Sequence, residues 1–182
     1  PDVMRGEETQ IAGYISAVGA SGTICLPGTH SKWVEIADGR ITRFRTAMTG
    51  EIFSLLAEKS VLRHSVGTNI WSEDGFAAGV REALDDAEII TKLFSIRAGS
   101  LLDGIVPQVS RSRLSGLLIG AELAGTGDYW QGGDIALIGA SRLSALYQTA
   151  LGLAGVSARV LDAGDMTLAG LCAARAALEE TQ

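Results

Sequence analysis

Apolar residues recur at Ile11, Ile15 and Val18 within residues 1–20, a helical spacing that opens on Glu7 and Glu8, where the helix dipole favours acids. Three β-type runs follow, GTICLPG, KWVEIADG and RITRFRTAMTG, each ending at glycine, with Ala-Asp-Gly at 37–39 as a hairpin signal. TGEIFSLLAEKSVL then predicts a helix with Thr49 as its cap, and residues 62–72 read as loop. Further helices are expected in EDGFAAGVREALDD, AEIITKLFSIRAGS and RSRLSGLLIGAELAG, and TGDYWQGG reads as a turn. DIALIGA is a buried strand, SRLSALYQTALGLAG a helix capped by Ser141, ARVLDA a second strand and DMTLAGLCAARAALEE a closing helix. The order predicts one α/β lobe: a mixed sheet of three antiparallel strands plus two parallel crossover strands, covered by helices.

Composition sharpens this picture. Hydrophobic residues make up 47% of the 182 positions but aromatics only 5%, and there are 23 glycines, so small side chains do much of the packing. That suits helices laid closely on a sheet. The formal net charge is −6 and the basic residues are scattered, Arg40, Arg43 and Arg45 being the densest group. Nucleic acid is not expected as a partner, because phosphate-backbone binding needs a basic face, whereas a small anion needs only a few local cations. No apolar run reaches the length of a membrane span and no signal peptide is visible. Cys25 and Cys172 lack metal-ligand spacing, sit in apolar surroundings and read as two reduced, buried thiols of a cytoplasmic protein. Pro1 stands directly before the first expected helix, which suggests a fragment or cut domain.

The chain has two histidines and three lysines, yet places one of each in Gly28-Thr29-His30-Ser31-Lys32, between two strands. Such a stretch is either a wet hairpin tip or an anion-binding turn, in which small residues let backbone N–H groups approach a phosphate. Gly139-Ala140 before Ser141 carries a similar pair of readings, a tight strand-to-helix turn or a surface on which a nucleoside lies.

VMRGEETQ, LPGTHSKWV, FRTAMTGE and LSGLLIGAEL, in this order, resemble the 2-dehydro-3-deoxygalactonokinase family over essentially the whole chain. That family belongs to the actin-like sugar-kinase superfamily, whose two ribonuclease-H-like lobes hold ATP and substrate in the cleft. The resemblance implies transfer of the γ-phosphoryl group of ATP, with Mg²⁺, to the terminal hydroxyl of 2-dehydro-3-deoxy-D-galactonate in galactonate breakdown. It covers only the family's carboxy-terminal part. The amino-terminal lobe, with its Asp-Trp-Gly-type phosphate motif, has no counterpart here and is the expected partner, and homodimerisation is left open.

By this resemblance Gly28 and Thr29 read as phosphate contacts, with His30 and Lys32 beside them, and Gly139, Ala140 and Ser141 as the adenosine turn with Gly164 near the adenine. Gly6-Glu7 stands where related kinases carry a Gly-Asp pair whose Asp is the base. Glu7 is thus the candidate base, with Asp2 and Glu8 as rivals, while all three also suit the start of a helix. The substrate carboxylate calls for an arginine, Arg5 or Arg45, although both also fit exposed positions. Trp33, Glu51 and Glu122 lie in the family-like stretches, where capping and packing explain them equally well. Two alternatives stand beside the kinase: a non-catalytic sugar-acid-sensing module of the same fold, and a kinase for an epimeric sugar acid.

Overall fold

Alternating burial and short turns draw the first three runs into an antiparallel meander. In the computed structural model, which describes residues 1–67 and 71–180, these are β1 (Gly22–Leu26), β2 (Ser31–Ala37) and β3 (Arg40–Ala47). Asp38 and Gly39 close the β2–β3 hairpin with φ of 51° and 70°, the left-handed pair that a two-residue turn of this kind requires. β4 (Ile135–Ile138) lies parallel to β1, and β5 (Ala158–Leu161) parallel to β4, giving the order β3-β2-β1-β4-β5. The expected mixed sheet is therefore present.

The chain divides into two compact units. The first comprises Pro1–Ala47, Asp128–Gln148 and Ser157–Gln182. Here α1 (Glu7–Ala17) and α8 (Ala163–Glu179) cover one face of the sheet. Ile11, Tyr14 and Met166 pack there on Ile24, Leu26, Val34, Ile36, Ala136 and Ile138. The two helices meet through glycine. A Cβ at Gly13 would stand 1.9 Å from the Met166 carbonyl oxygen, and one at Gly170 would stand 1.9 Å from that of Thr9. On the opposite face Ser31 Oγ is 2.8 Å from the hydroxyl of Tyr147, in the helix α7 (Ser141–Leu153).

The second unit comprises Met48–Gly127 and Thr149–Val156. It contains α2 (Thr49–Lys59), a 3₁₀ turn (Val61–His64), α3 (Glu73–Asp85), α4 (Ile89–Leu102) and α5 (Pro107–Gly125). α3 and α5 again pack backbone to backbone, since a Cβ at Gly116 would lie 2.1 Å from the Phe76 carbonyl oxygen and one at Gly79 2.4 Å from that of Arg113. Leu62, Val66, Ala83, Ile96, Leu114, Leu117 and Leu118 form its core.

Several local expectations change. The first helix starts at Glu7, so residues 1–6 are not helical and Pro1 does not precede it directly. Thr49 is the first residue of α2 rather than its cap. Its hydroxyl donates to Glu122 Oε2 of α5, so these two family-like residues tie the two helices together. Ser141 likewise lies inside the first turn of α7. The expected turn at 126–133 contains a single helical turn, α6 (Gly127–Trp130). The expected loop at 62–72 contains most of the 3₁₀ turn, and its positions 68–70 lie outside the described residues. Cys25 is buried in β1 but Cys172 is exposed. The inward positions of α8 are Met166 and Gly170, and Cys172, two residues on, turns outward.

Candidate functional site

The parallel strands β1, β4 and β5 all end at the same edge of the sheet, where open α/β sheets place their ligands. β1 runs into Pro27-Gly28-Thr29-His30, β4 into Gly139-Ala140, and β5 into Asp162-Ala163. A cleft of about 360 Å³ opens there, with Glu7, Gly28, Thr29, His30, Gly139 and Ala163 in its wall. All of it belongs to the first unit. Glu7 and Ala163 are the first residues of α1 and α8, and Ala140 precedes α7, so three helix amino-termini border the cleft. Their dipoles favour an anion.

Glu7 reaches the cleft because Gly6 holds a left-handed conformation, φ 115°, just before α1. That turn folds two carboxylates back on the chain: Glu7 Oε2 accepts from the Arg5 N–H at 2.8 Å, and Glu8 Oε2 from the Gly6 N–H at 2.6 Å. Glu7 Oε1 lies 3.2 Å from the Lys32 ammonium. Partial burial alone would raise the Glu7 pKa. The N–H groups of Arg5 and of Glu7 itself, together with Lys32, outweigh burial and hold it below the ordinary carboxylate value.

The turn after β1 has its own support. The Gly28 N–H points to Ser31 Oγ at 3.5 Å, and Ser31 is the residue that pairs with Tyr147. A Cβ at Gly28 would meet nothing closer than 3.8 Å, so packing does not demand glycine there. Gly139 differs, because its Cβ would stand 3.0 Å from the Pro27 carbonyl oxygen. Packing of the two turns on one another therefore favours glycine at 139.

Of the residues singled out in the sequence, Glu7, Gly28, Thr29, His30, Gly139 and Ala140 come together in this cleft. The others lie elsewhere. Lys32 belongs to β2 and turns toward α1 rather than lining the cleft. Asp2 accepts from the Thr46 N–H at 2.7 Å, the Thr46 hydroxyl at 2.6 Å and the Val3 N–H at 2.8 Å. Although burial opposes it, these bonds and the Lys32 charge lower its pKa. It braces the amino-terminal segment against β3. Glu8 is exposed and occupied with Gly6. Ser141 and Gly164 are exposed one residue beyond the lining positions Ala140 and Ala163. The Arg5 side chain is exposed next to Gly6-Glu7. Arg45 lies on the edge strand, 3.7 Å from Asp128 and with its guanidinium 5.7 Å from the centre of the Tyr129 ring. Gln10 and Pro27 line the cleft without having been singled out. Gln10 follows Glu7 by three residues and so shares its helix face, a signal that was available.

The sequence matches the family described as 2-keto-3-deoxy-galactonokinase over residues 1–174. It is 45% identical, over 98% of its length, to a Rhizobium meliloti (strain 1021) protein that carries the name 2-dehydro-3-deoxygalactonokinase. It is 40% identical, over 90% of its length, to the 2-dehydro-3-deoxygalactonokinase of Escherichia coli (strain K12). A crystal structure of a Sinorhizobium meliloti protein described with the same activity superposes with a TM-score of 0.91, at 43% identity, over 97% of this chain. The chain spans 60% and 56% of the two relatives' lengths and 61% of that crystallised chain. On this match the chain belongs to the 2-keto-3-deoxy-galactonokinase family.

Proposed function

We propose that the chain is the carboxy-terminal lobe of a two-lobed, ATP-dependent 2-dehydro-3-deoxygalactonokinase that works in the cytoplasm in galactonate breakdown. The observation that carries this reading is the meeting of a carboxylate, Glu7, with the Gly28–His30 turn and three helix amino-termini in one cleft. Phosphoryl transfer asks for little else: an anion cradle, an in-line acceptor and a base. The N–H groups of the turn and of the first turns of α7 and α8 face the phosphates of ATP. The terminal hydroxyl of the sugar acid lies against Glu7. Its oxygen bonds to the γ-phosphorus, the bond from that phosphorus to the bridging oxygen of ADP breaks, and the hydroxyl proton passes to Glu7.

Among the described residues no group of three or more His, Cys, Asp or Glu could hold a metal ion. Mg²⁺ would enter with the nucleotide and neutralise charge on its phosphates. Of the three acids, Glu7 suits the base best, because it is the one that lines the cleft, whereas Asp2 is bound to Thr46 and Glu8 is turned back on Gly6 outside it. Arg5, beside Glu7 in the chain, is the arginine that best suits the substrate carboxylate.

The test is the full-length protein with Mg²⁺-ATP and a panel of 2-dehydro-3-deoxy sugar acids, measuring ADP release for wild type and for Glu7→Gln, Asp2→Asn and Glu8→Gln. The expected result is turnover with the galactonate-derived acid and a roughly 10²–10⁴-fold fall in kcat for Glu7→Gln alone. Ligand binding without turnover in wild type would favour the sensing module, and turnover with an epimer alone would move the substrate. A fall confined to Asp2→Asn would move the base.

A further inference from the structure

Lys32 is among the least expected residues in the first unit. Lysine is almost never buried without a partner, yet this side chain is only 6% exposed, on the sheet face that carries Val34 and Ile36. Its ammonium lies 3.2 Å from Glu7 Oε1 and donates to the His30 carbonyl oxygen at 3.3 Å. One cation thus touches two parts of the cleft wall that are twenty-three residues apart in sequence. These are the acid at the start of α1 and the last residue of the turn after β1.

We propose that Lys32 is a positioning residue for the phosphoryl transfer, locking the Glu7 carboxylate to the Gly28–His30 turn, and that it does not itself bind the nucleotide phosphates. The inference rests on the reading of Glu7 as proton acceptor. An ammonium serving phosphates in this cleft would stand among the lining groups, whereas this one lies beneath them and spends its charge on Glu7. Glu7 is flexible enough to swing through several rotamers. Fixing Oε1 on Lys32 and Oε2 on the Arg5 N–H leaves it one orientation, with its remaining lone pairs available to the cleft. The His30 contact sets the distance between that carboxylate and the turn.

The charged and titratable surroundings of Glu7 are few. Lys32 faces it from β2, His30 lines the same cleft from the turn, and Glu8 beside it is turned back on Gly6. Asp2 feels the Lys32 charge but is bonded to Thr46. On α8, Asp162 accepts from the Asp165 N–H as its own helix cap. Lys32 is therefore the dominant cation acting on Glu7.

The test compares wild type, Lys32→Met, Glu7→Gln and the double variant in the full-length protein. It reads kcat, KM for Mg²⁺-ATP and the pH profile, with folding checked by thermal melts. Because an ionised Glu7 is needed, activity is lost as pH falls through its pKa. Losing the ammonium raises that pKa, so the acid limb of Lys32→Met is expected to move to higher pH. The expected kcat loss is at least tenfold with KM for ATP within about threefold of wild type, and adding Lys32→Met to Glu7→Gln should cost nothing further. A rise in KM for ATP in both backgrounds with an unmoved acid limb would make Lys32 a phosphate ligand and overturn the proposal.

If Lys32→Met does not fold, ¹³C NMR titration of the Glu7 carboxyl in wild type and in Lys32→Gln replaces kinetics. An identical titration in the two proteins overturns the proposal. The two readings also fail separately. Full turnover in Glu7→Gln rejects Glu7 as base, while an unshifted Glu7 titration without the lysine rejects the coupling whatever Glu7 does.

Discussion

Glycine serves two different needs in the cleft, and they can be separated by experiment. At Gly28 a methyl group would meet only ordinary contacts, the nearest atom being 3.8 Å away, so Gly28→Ala should change the stability by no more than about 0.5 kcal/mol. If phosphate oxygens approach the backbone at this turn, the same change should raise KM for ATP by roughly tenfold, the worth of a charge-assisted hydrogen bond. At Gly139 the methyl group would crowd the Pro27 carbonyl at 3.0 Å and the Ser144 hydroxyl at 3.4 Å. Gly139→Val should therefore lower stability by about 1–3 kcal/mol and raise both KM values together. A selective effect on ATP with an unchanged melt would instead assign Gly139 to the nucleoside. At this scale the sequence was a good guide to which residues meet and a poor one to which way they point. Glu7 and the 28–30 turn were legible because small residues and an acid at a helix start have local causes. Asp2 and Arg45 were not, since what occupies them is a Thr46 forty-four residues away and an Asp128 eighty-three residues away. Lys32 reads as part of a turn if Gly28–Lys32 is taken as a unit. Its alternation with Val34 and Ile36 already placed it on the buried face.

Between elements, the family-like stretches are explained mostly by packing. VMRGEETQ supplies the Thr9 carbonyl to the α1–α8 crossing, LSGLLIGAEL supplies Gly116 and Glu122 to α5, and FRTAMTGE supplies the Thr49 that Glu122 binds. One glycine on each helix, Gly13 against the Met166 backbone and Gly170 against that of Thr9, lets the two helices touch through their backbones. Gly170→Ala would put a carbon 1.9 Å from the Thr9 carbonyl oxygen, so α1 or α8 must move. The expected cost is about 1–3 kcal/mol or more in a denaturant melt. Because α1 carries Glu7 at its amino-terminus, the displacement should also reduce kcat in the full-length enzyme. Gly164→Ala, on the same helix but meeting only the Asp162 side chain at 3.0 Å, serves as the control and should do much less. Equal stability of the two variants would show that the helices can separate cheaply. The elements themselves were legible from period and glycine punctuation, including the order that dictates the mixed sheet. Their first residues were not. Thr49 looked like a cap because Thr before a helix usually is one, but its hydroxyl is taken by a carboxylate from another helix, and local sequence does not announce that competition.

For the molecule as a whole, the proposed function makes this cleft one wall of a phosphoryl-transfer site. It holds an acid, the Gly28–His30 turn and three helix amino-termini, all in one unit of the chain. The relatives are longer, this chain spanning 60% and 56% of the two curated ones, and on the proposed reading the other lobe carries a further phosphate motif. Catalysis by positioning depends steeply on closing the site, since reacting atoms must be held near 3–3.5 Å with water excluded, and such alignment is worth roughly 7–11 kcal/mol of barrier. One wall cannot supply that. Residues 1–182 alone are therefore expected to show no sugar-acid-dependent ADP release above a buffer control, even where circular dichroism shows them folded. Nucleotide affinity falls less steeply, because N–H groups at helix starts bind anions without a closed site. The same fragment should thus still bind Mg²⁺-ATP weakly, visible as chemical-shift changes centred on the backbone amides of residues 28–30, 139–143 and 163–165. Adding the separately produced amino-terminal lobe should restore turnover in proportion to complex formation. ADP release by the fragment alone at more than about a hundredth of the full-length rate, a loss far smaller than alignment is worth, would show that the second lobe is not needed for the chemistry.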